Sequence, residues 1–123
     1  MKISSFNPII ITKNPEAVIS VFESLGFEKK HSPNGISGAG LEYTDVRMTS
    51  PNGFYVDVAT TTDSLPRDIT AIRMNVDDFD EAFKFLTEKG FTTARPVTET
   101  QHSTGILMFS PSGFSIVLVQ HIK

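Results

Sequence analysis

Chemistry in this chain must come from a few polar side chains set at every second position of alternating runs. Residues 43–47 read Tyr-Thr-Asp-Val-Arg, residues 55–57 read Tyr-Val-Asp and residues 71–75 read Ala-Ile-Arg-Met-Asn. In a strand, alternate residues share a face, so Tyr43, Asp45 and Arg47 align, as do Tyr55 with Asp57 and Arg73 with Asn75. Asp57 can anchor a ligand, or act as a base if burial raises its pKa. It can equally form a salt bridge to Arg73 or Arg47 across a sheet. Arg47 and Arg73 suit an anionic or carbonyl ligand, and they also suit the neutralisation of Asp45 and Asp57. Tyr43 and Tyr55 can stack on a planar ligand or stand as half-exposed strand residues.

Other chemistries find less support. His31, His102 and His121 share no spacing that would seat a metal. His102, just before Gly105, is either a surface residue or a general base; His31 and His121 are expected to face solvent. There is no cysteine, which removes disulfides, thiolate metal sites and cysteine nucleophiles and fits a reducing compartment. No Ser-His-Asp order stands out. The glycines between Gly35 and Gly40 open no helix, so they read as a mobile cavity lip rather than a phosphate loop.

The bulk composition sets the frame. The chain has 123 residues, a one-domain length, with ten Phe and 39% apolar residues to fill a core. Its net charge of −3 carries no clustered basic footprint for nucleic acid. The N-terminus lacks a signal-like apolar run, and Ile9-Ile10-Ile11 is far too short to span a bilayer. A cytoplasmic protein, with no membrane or nucleic-acid partner, is expected.

The elements that must position these residues come as a repeat. Residues 50–58 read Ser-Pro-Asn-Gly-Phe-Tyr-Val-Asp-Val and residues 110–118 read Ser-Pro-Ser-Gly-Phe-Ser-Ile-Val-Leu. Upstream, Asn14-Pro15-Glu16 leads to Leu25-Gly26-Phe27, and Asp78-Phe79-Asp80 leads to Lys89-Gly90-Phe91. The helical pair is offset by 64 residues and the turn pair by 60, which places about four extra residues in the first copy, between Pro33 and Gly40.

Each copy predicts one helix. Asn14 caps the first, with Pro15 at its first position and Val18, Val21, Phe22 and Leu25 as its apolar stripe. Asp78 caps the second, with Phe79, Ala82, Phe83 and Leu86 as the stripe. Gly26 and Gly90 close them. Alternation predicts strands at 6–12, 27–32, 41–49 and 53–60, then at 69–76, 91–98, 104–110 and 113–121. Residues 61–68 read as the linker, giving modules at 1–62 and 68–123 within one domain, 1–123.

Face assignment follows from the same alternation. Phe54, Val56, Val58, Ile72, Met74, Val76, Val46, Met48, Ile106 and Met108 are expected against the helices, with Phe114 repeating Phe54. The opposite face takes Tyr43, Asp45, Arg47, Tyr55, Asp57, Ala71, Arg73, Asn75, Leu107, Phe109, Ser115 and Val117, a mixed lining that suits a small-molecule cleft.

Taken together, the duplicated unit, the capped helix ending in Leu-Gly-Phe and the Ser-Pro-x-Gly-Phe turn resemble the vicinal oxygen chelate superfamily. That group includes glyoxalase I, extradiol dioxygenases, fosfomycin resistance enzymes and bleomycin resistance proteins. The resemblance spans nearly the whole chain. It implies an α+β fold of two βαβββ modules forming a cupped eight-stranded mixed sheet, and a homodimer. In metal-using members the first and last strands of each unit supply the ligands. Those positions fall here on Asn7, Asp57, Ala71 and Val117. Ala71 and Val117 have no donor atom, whereas a catalytic metal takes about three protein ligands. The resemblance therefore implies a bleomycin-resistance-like protein that binds a small molecule without metal or other cofactor. The expected lining is Asn7, Tyr43, Asp45, Arg47, Tyr55, Asp57, Arg73, His102 and Phe109. The alternative is a metal-dependent lyase or dioxygenase with displaced ligands, such as His102 with Asp57. A third option is an interaction module that dimerises through its sheet edges.

Overall fold

The computed structural model describes residues 1–30, 45–61, 66–94, 97–99 and 103–121, without the side chains of Asp45 and Thr98. In chain order these form β1 (Ile3–Thr12), α1 (Pro15–Ser24), β2 (Glu28–Lys30), β3 (Asp45–Thr49) and β4 (Tyr55–Thr60), then β5 (Ile69–Val76), α2 (Phe79–Glu88), β6 (Thr92–Thr93), β7 (Thr98–Glu99), β8 (Ser103–Phe109) and β9 (Ser115–His121). This is an α+β chain of two βαβββ modules. The run expected as one strand at 91–98 is split into β6 and β7, and both pair with β8. The loop expected between Pro33 and Gly40 lies outside the described residues.

The duplication is visible bond by bond. In each hairpin turn the Gly takes a left-handed φ, 95° at Gly53 and 105° at Gly113. Its N–H donates to the Ser carbonyl three residues back, Ser50 or Ser110, at 3.0 Å. The returning Ser N–H donates to Phe54 or Phe114 at 2.8 Å in both copies. At the helix ends, Phe27 N–H donates to the Phe22 carbonyl and Phe91 N–H to Leu86, both at 3.0 Å. That is the closing bond of a Schellman motif with Gly at C′.

The two helix starts differ. Asp78 caps α2 as expected, its Oδ1 accepting from Glu81 N–H at 3.0 Å. Gln120 adds a second cap from β9, with Oε1 accepting from Phe79 N–H at 2.7 Å. Asn14 makes no side-chain cap bond; instead its own N–H donates to Thr12 Oγ1 at 3.0 Å. The stripe of α1 is also shifted. Ile19 is its buried residue and Val21 is exposed; the two lie about 160° apart around a helix. Leu25 falls beyond the last helical residue and is 68% exposed.

One hydrogen-bonded sheet runs through both modules in the order β2-β3-β4-β1-β5-β9-β8-β6, eight strands with β7 beside β8. β1 pairs with β4 in parallel and β5 pairs with β9 in parallel. The modules meet at the antiparallel pair β1–β5, where Asn7 faces Arg73 and Ile9 faces Ala71. Adding 64 to Asn7 and Ile9 gives Ala71 and Arg73, so the register is that of a pseudo-two-fold axis through the centre of the sheet.

Three apolar clusters follow. α1 packs Ile19, Val18 and Phe22 on Met48, Val56 and Val58. α2 packs Phe79, Ala82 and Leu86 on Val76, Ile106, Met108, Ile116 and Leu118. The third cluster contains no helical residue: Ile9, Ile11, Ala59, Ala71, Leu107, Val117 and Val119, flanked by Ile69 and Phe109. The expected faces of Val56, Val58, Met74, Val76, Val46, Met48, Ile106 and Met108 are found. Phe54 and Phe114 were expected in the helix-packed core but are exposed. They precede the first residues of β4 and β9, and their rings rest on Phe27 and Phe91 at the rim. Among the described residues no helix is long and apolar enough to cross a membrane.

Candidate functional site

Among the described residues, the helix-free face carries one concentrated group of charge, built from four adjacent strands. β3 brings Arg47 and β4 brings Asp57, directly opposite each other in the antiparallel register. β1 brings Asn7 and β5 brings Arg73, again opposite each other. β1 separates β4 from β5, so Arg73 must reach across about 10 Å, two strand spacings, to meet Asp57. Only a long side chain can do that.

Asp57 is the hub. Its Oδ1 accepts from Arg47 Nε at 2.9 Å. Its Oδ2 accepts from Arg47 Nη2 at 3.2 Å, from Arg73 Nη1 at 3.0 Å and from Asn7 Nδ2 at 3.0 Å. Asp57 is completely buried and Arg73 is 1% exposed. Charges this deep persist only when paired and hydrogen-bonded. The salt-bridge alternative for Asp57 is therefore realised with both arginines. Arg73 Nε also donates to Asn75 Oδ1 at 3.3 Å.

Arg47 forms the accessible edge of the group, with a side chain 37% exposed. Its guanidinium carbon lies 4.1 Å from the centroid of the Tyr55 ring, a cation–π contact. Tyr55 is half-buried and therefore partly available to solvent. His121 closes the far end of β9 beside Ser103. Its pKa is lowered from the ordinary histidine value, first by desolvation and then by the charges of Arg73 and Arg47.

The face thus brings together Asn7, Arg47, Tyr55, Asp57 and Arg73 from the expected lining. Phe109 lies apart, packed against the aliphatic cluster. The backbone of Asp45 faces Ala59, and its side chain lies outside the description. Tyr43 and His102 lie outside the described residues, as does His31. Sequence alternation overlooked Ile9, Ile11, Ala59 and Val119, which turn the lining from mixed polar and aromatic to mainly aliphatic. Their signal was present: they share strand parity with Asn7, Asp57 and Val117. His121 could have been placed on this face in the same way.

The four positions that the resemblance assigns to metal ligands, Asn7, Asp57, Ala71 and Val117, share this face. Their donor set does not fit a metal. Asp57 already accepts four hydrogen bonds, three at Oδ2 and one at Oδ1, and two of its donors are the cations Arg47 and Arg73. Asn7 turns its N–H toward Asp57, and its buried Oδ1 has no hydrogen-bond partner among the described residues. Ala71 and Val117 sit in the aliphatic cluster. Among the described residues no group of three or more His, Cys, Asp or Glu could hold a metal ion.

Solved structures share this architecture. A glyoxalase/bleomycin resistance protein/dioxygenase superfamily member from Vibrio splendidus 12B01 aligns over 98% of this chain and 100% of its own, with TM-score 0.60 and 17% identity. Glyoxalase I from Zea mays aligns over 98% of this chain and 43% of its own, with TM-score 0.63 and 16% identity. A Legionella pneumophila protein named as an NAD-dependent benzaldehyde dehydrogenase aligns over 96% of this chain and 100% of its own, with TM-score 0.64 and 13% identity. The sequence matches no family model and no curated protein. The resemblance drawn from the repeat signatures is thus met at the level of fold, and a fold shared by proteins so differently named leaves function to the site.

Proposed function

We propose that this protein is a glyoxalase/bleomycin-resistance-like binding protein that holds a small organic molecule on the helix-free face without using a metal. One observation carries the proposal: the Arg47–Asp57–Arg73 group abuts an aliphatic wall of Ile9, Ala71, Leu107 and Val117 on a face that neither helix covers. Polar groups that fix orientation beside a larger apolar surface are the usual make-up of a small-molecule site. Entry is from the Arg47–Tyr55 side, where the group is partly exposed. Calorimetry with bleomycin-like compounds and with aromatic acids, amines and alcohols tests it. Saturable heat for one class, weakened in Arg47→Ala, supports binding. No heat from any class on the wild-type protein rejects it.

A second proposal rests on a different observation. Ile9, Ile11, Val117 and Val119 are completely buried within the single chain, as in a filled core. On this account the protein is an interaction module that works as a homodimer. Light scattering that gives a stable dimer, together with a silent ligand panel, favours it over small-molecule binding. A metal-dependent lyase or dioxygenase with displaced ligands has the weakest support. Elemental analysis of protein purified without chelator, followed by activity assays with nickel, zinc, manganese and iron, tests that alternative.

A further inference from the structure

We infer that the buried guanidinium of Arg73 takes the place of a metal ion in this sheet, as a permanent internal cation that binds Asp57 and ties the two modules together. The register supplies the first argument. Ile9 lies between Asp57 on β4 and Ala71 on β5. Arg73 lies between Asn7 on β1 and Val117 on β9. The four positions that the resemblance assigns to metal ligands therefore surround the pair Ile9 and Arg73, which the repeat makes equivalent. One copy fills its half of the centre with hydrocarbon and the other fills its half with a cation.

The chemistry of Asp57 supplies the second. Its carboxylate accepts four hydrogen bonds from Arg47, Arg73 and Asn7, three of them converging on Oδ2, the oxygen that Arg73 holds. A divalent ion would have to displace Arg73 and leave a buried guanidinium without that carboxylate, a costly state. It would also sit close to two positive charges in a weakly screened interior. The third argument is topological. Asp57 belongs to the first module and Arg73 to the second, so their 3.0 Å contact spans the module boundary. A metal with ligands from both halves would make the same connection. The inference does not depend on whether an organic ligand binds, so a silent ligand panel leaves it standing.

Two experiments test it. The first is equilibrium dialysis of wild-type protein against nickel, zinc and manganese, with melting followed in their presence and in chelator. The expected result is no stoichiometric metal and no change in Tm. One equivalent of bound metal that Asp57→Asn abolishes would overturn the inference. The second is a double-mutant cycle on Asp57→Asn and Arg73→Met, read by urea denaturation. The double variant should lose much less in its midpoint than the two single losses combined. Simple additivity would also overturn the inference. Should a single variant fail to fold while the double variant folds, the coupling is shown directly. Should none of the variants fold, the dialysis decides.

Discussion

Asn7 and Arg73 face each other across the β1–β5 ladder and donate to the same atom, Oδ2 of Asp57, each at 3.0 Å. The strand pair that joins the modules thus also delivers two donors to one buried carboxylate. Removing that carboxylate leaves the charge of Arg73 buried without the anion that it pairs with at 3.0 Å. Asp57→Ala is therefore expected to lower stability by about 3–5 kcal/mol, measured as a reduced urea midpoint. A loss no larger than that of an ordinary surface substitution would contradict the role of Asp57 as hub.

The two helix starts make opposite predictions for similar substitutions. Asp78 accepts from Glu81 N–H, so Asp78→Ala should cost about 1 kcal/mol. Asn14 makes no cap bond, and Asn14→Ala should change stability by only a few tenths of a kcal/mol. Thermal denaturation of both variants checks the pair. Equal losses would mean that Asn14 caps α1 in solution.

Gly26 and Gly90 occupy equivalent places after their helices, with φ of 98° and 93°. Their surroundings differ. A Cβ on Gly26 meets open space, whereas one on Gly90 comes 2.9 Å from Cγ of Pro111. Each Ala substitution carries a left-handed backbone cost of roughly 1–2 kcal/mol. Gly90→Ala should cost more than Gly26→Ala, because the Pro111 ring must also shift. Chemical denaturation of the two variants gives the order directly.

The lowered pKa of His121 sets a pH dependence. In the unfolded chain this imidazole binds a proton below its ordinary pKa of about 6.5. In the folded chain it binds one only at lower pH. The unfolded state therefore holds more protons between those two values, and stability falls as pH drops through that window. His121 is exposed, so the effect should be small. His121→Gln should flatten the stability profile in this range. An unchanged slope would show that neither desolvation nor the two arginines lowers the pKa of His121.

Much of this fold was legible because it is written twice. The Ser-Pro-x-Gly-Phe turns and the Gly-Phe helix ends constrain the backbone locally, and local constraints survive in a sequence. Alternation placed Asp57, Arg47 and Arg73 on one face because β3, β4 and β5 are regular. It could not show that Arg73 crosses a whole strand to reach Asp57, since that depends on β1 lying between β4 and β5. It also missed the exposure of Phe54 and Leu25. Their spacing matched the core pattern, but each lies just outside the regular element whose periodicity it seemed to continue. The aliphatic character of the helix-free face was overlooked because Ile9-Ile10-Ile11 has no polar partner to reveal its alternation.

The ends of the sheet have a consequence for solubility. Among the described residues it terminates in β2 and β6, strands of three and two residues. β2 is Glu28-Lys29-Lys30, charged throughout and exposed. Among the described residues, one charged three-residue strand at one border and the two-residue Thr92-Thr93 at the other offer little template for a foreign strand to add on. Ordered fibrils growing from the native state should therefore be slow to start, even though the interior strands are rich in Ile and Val.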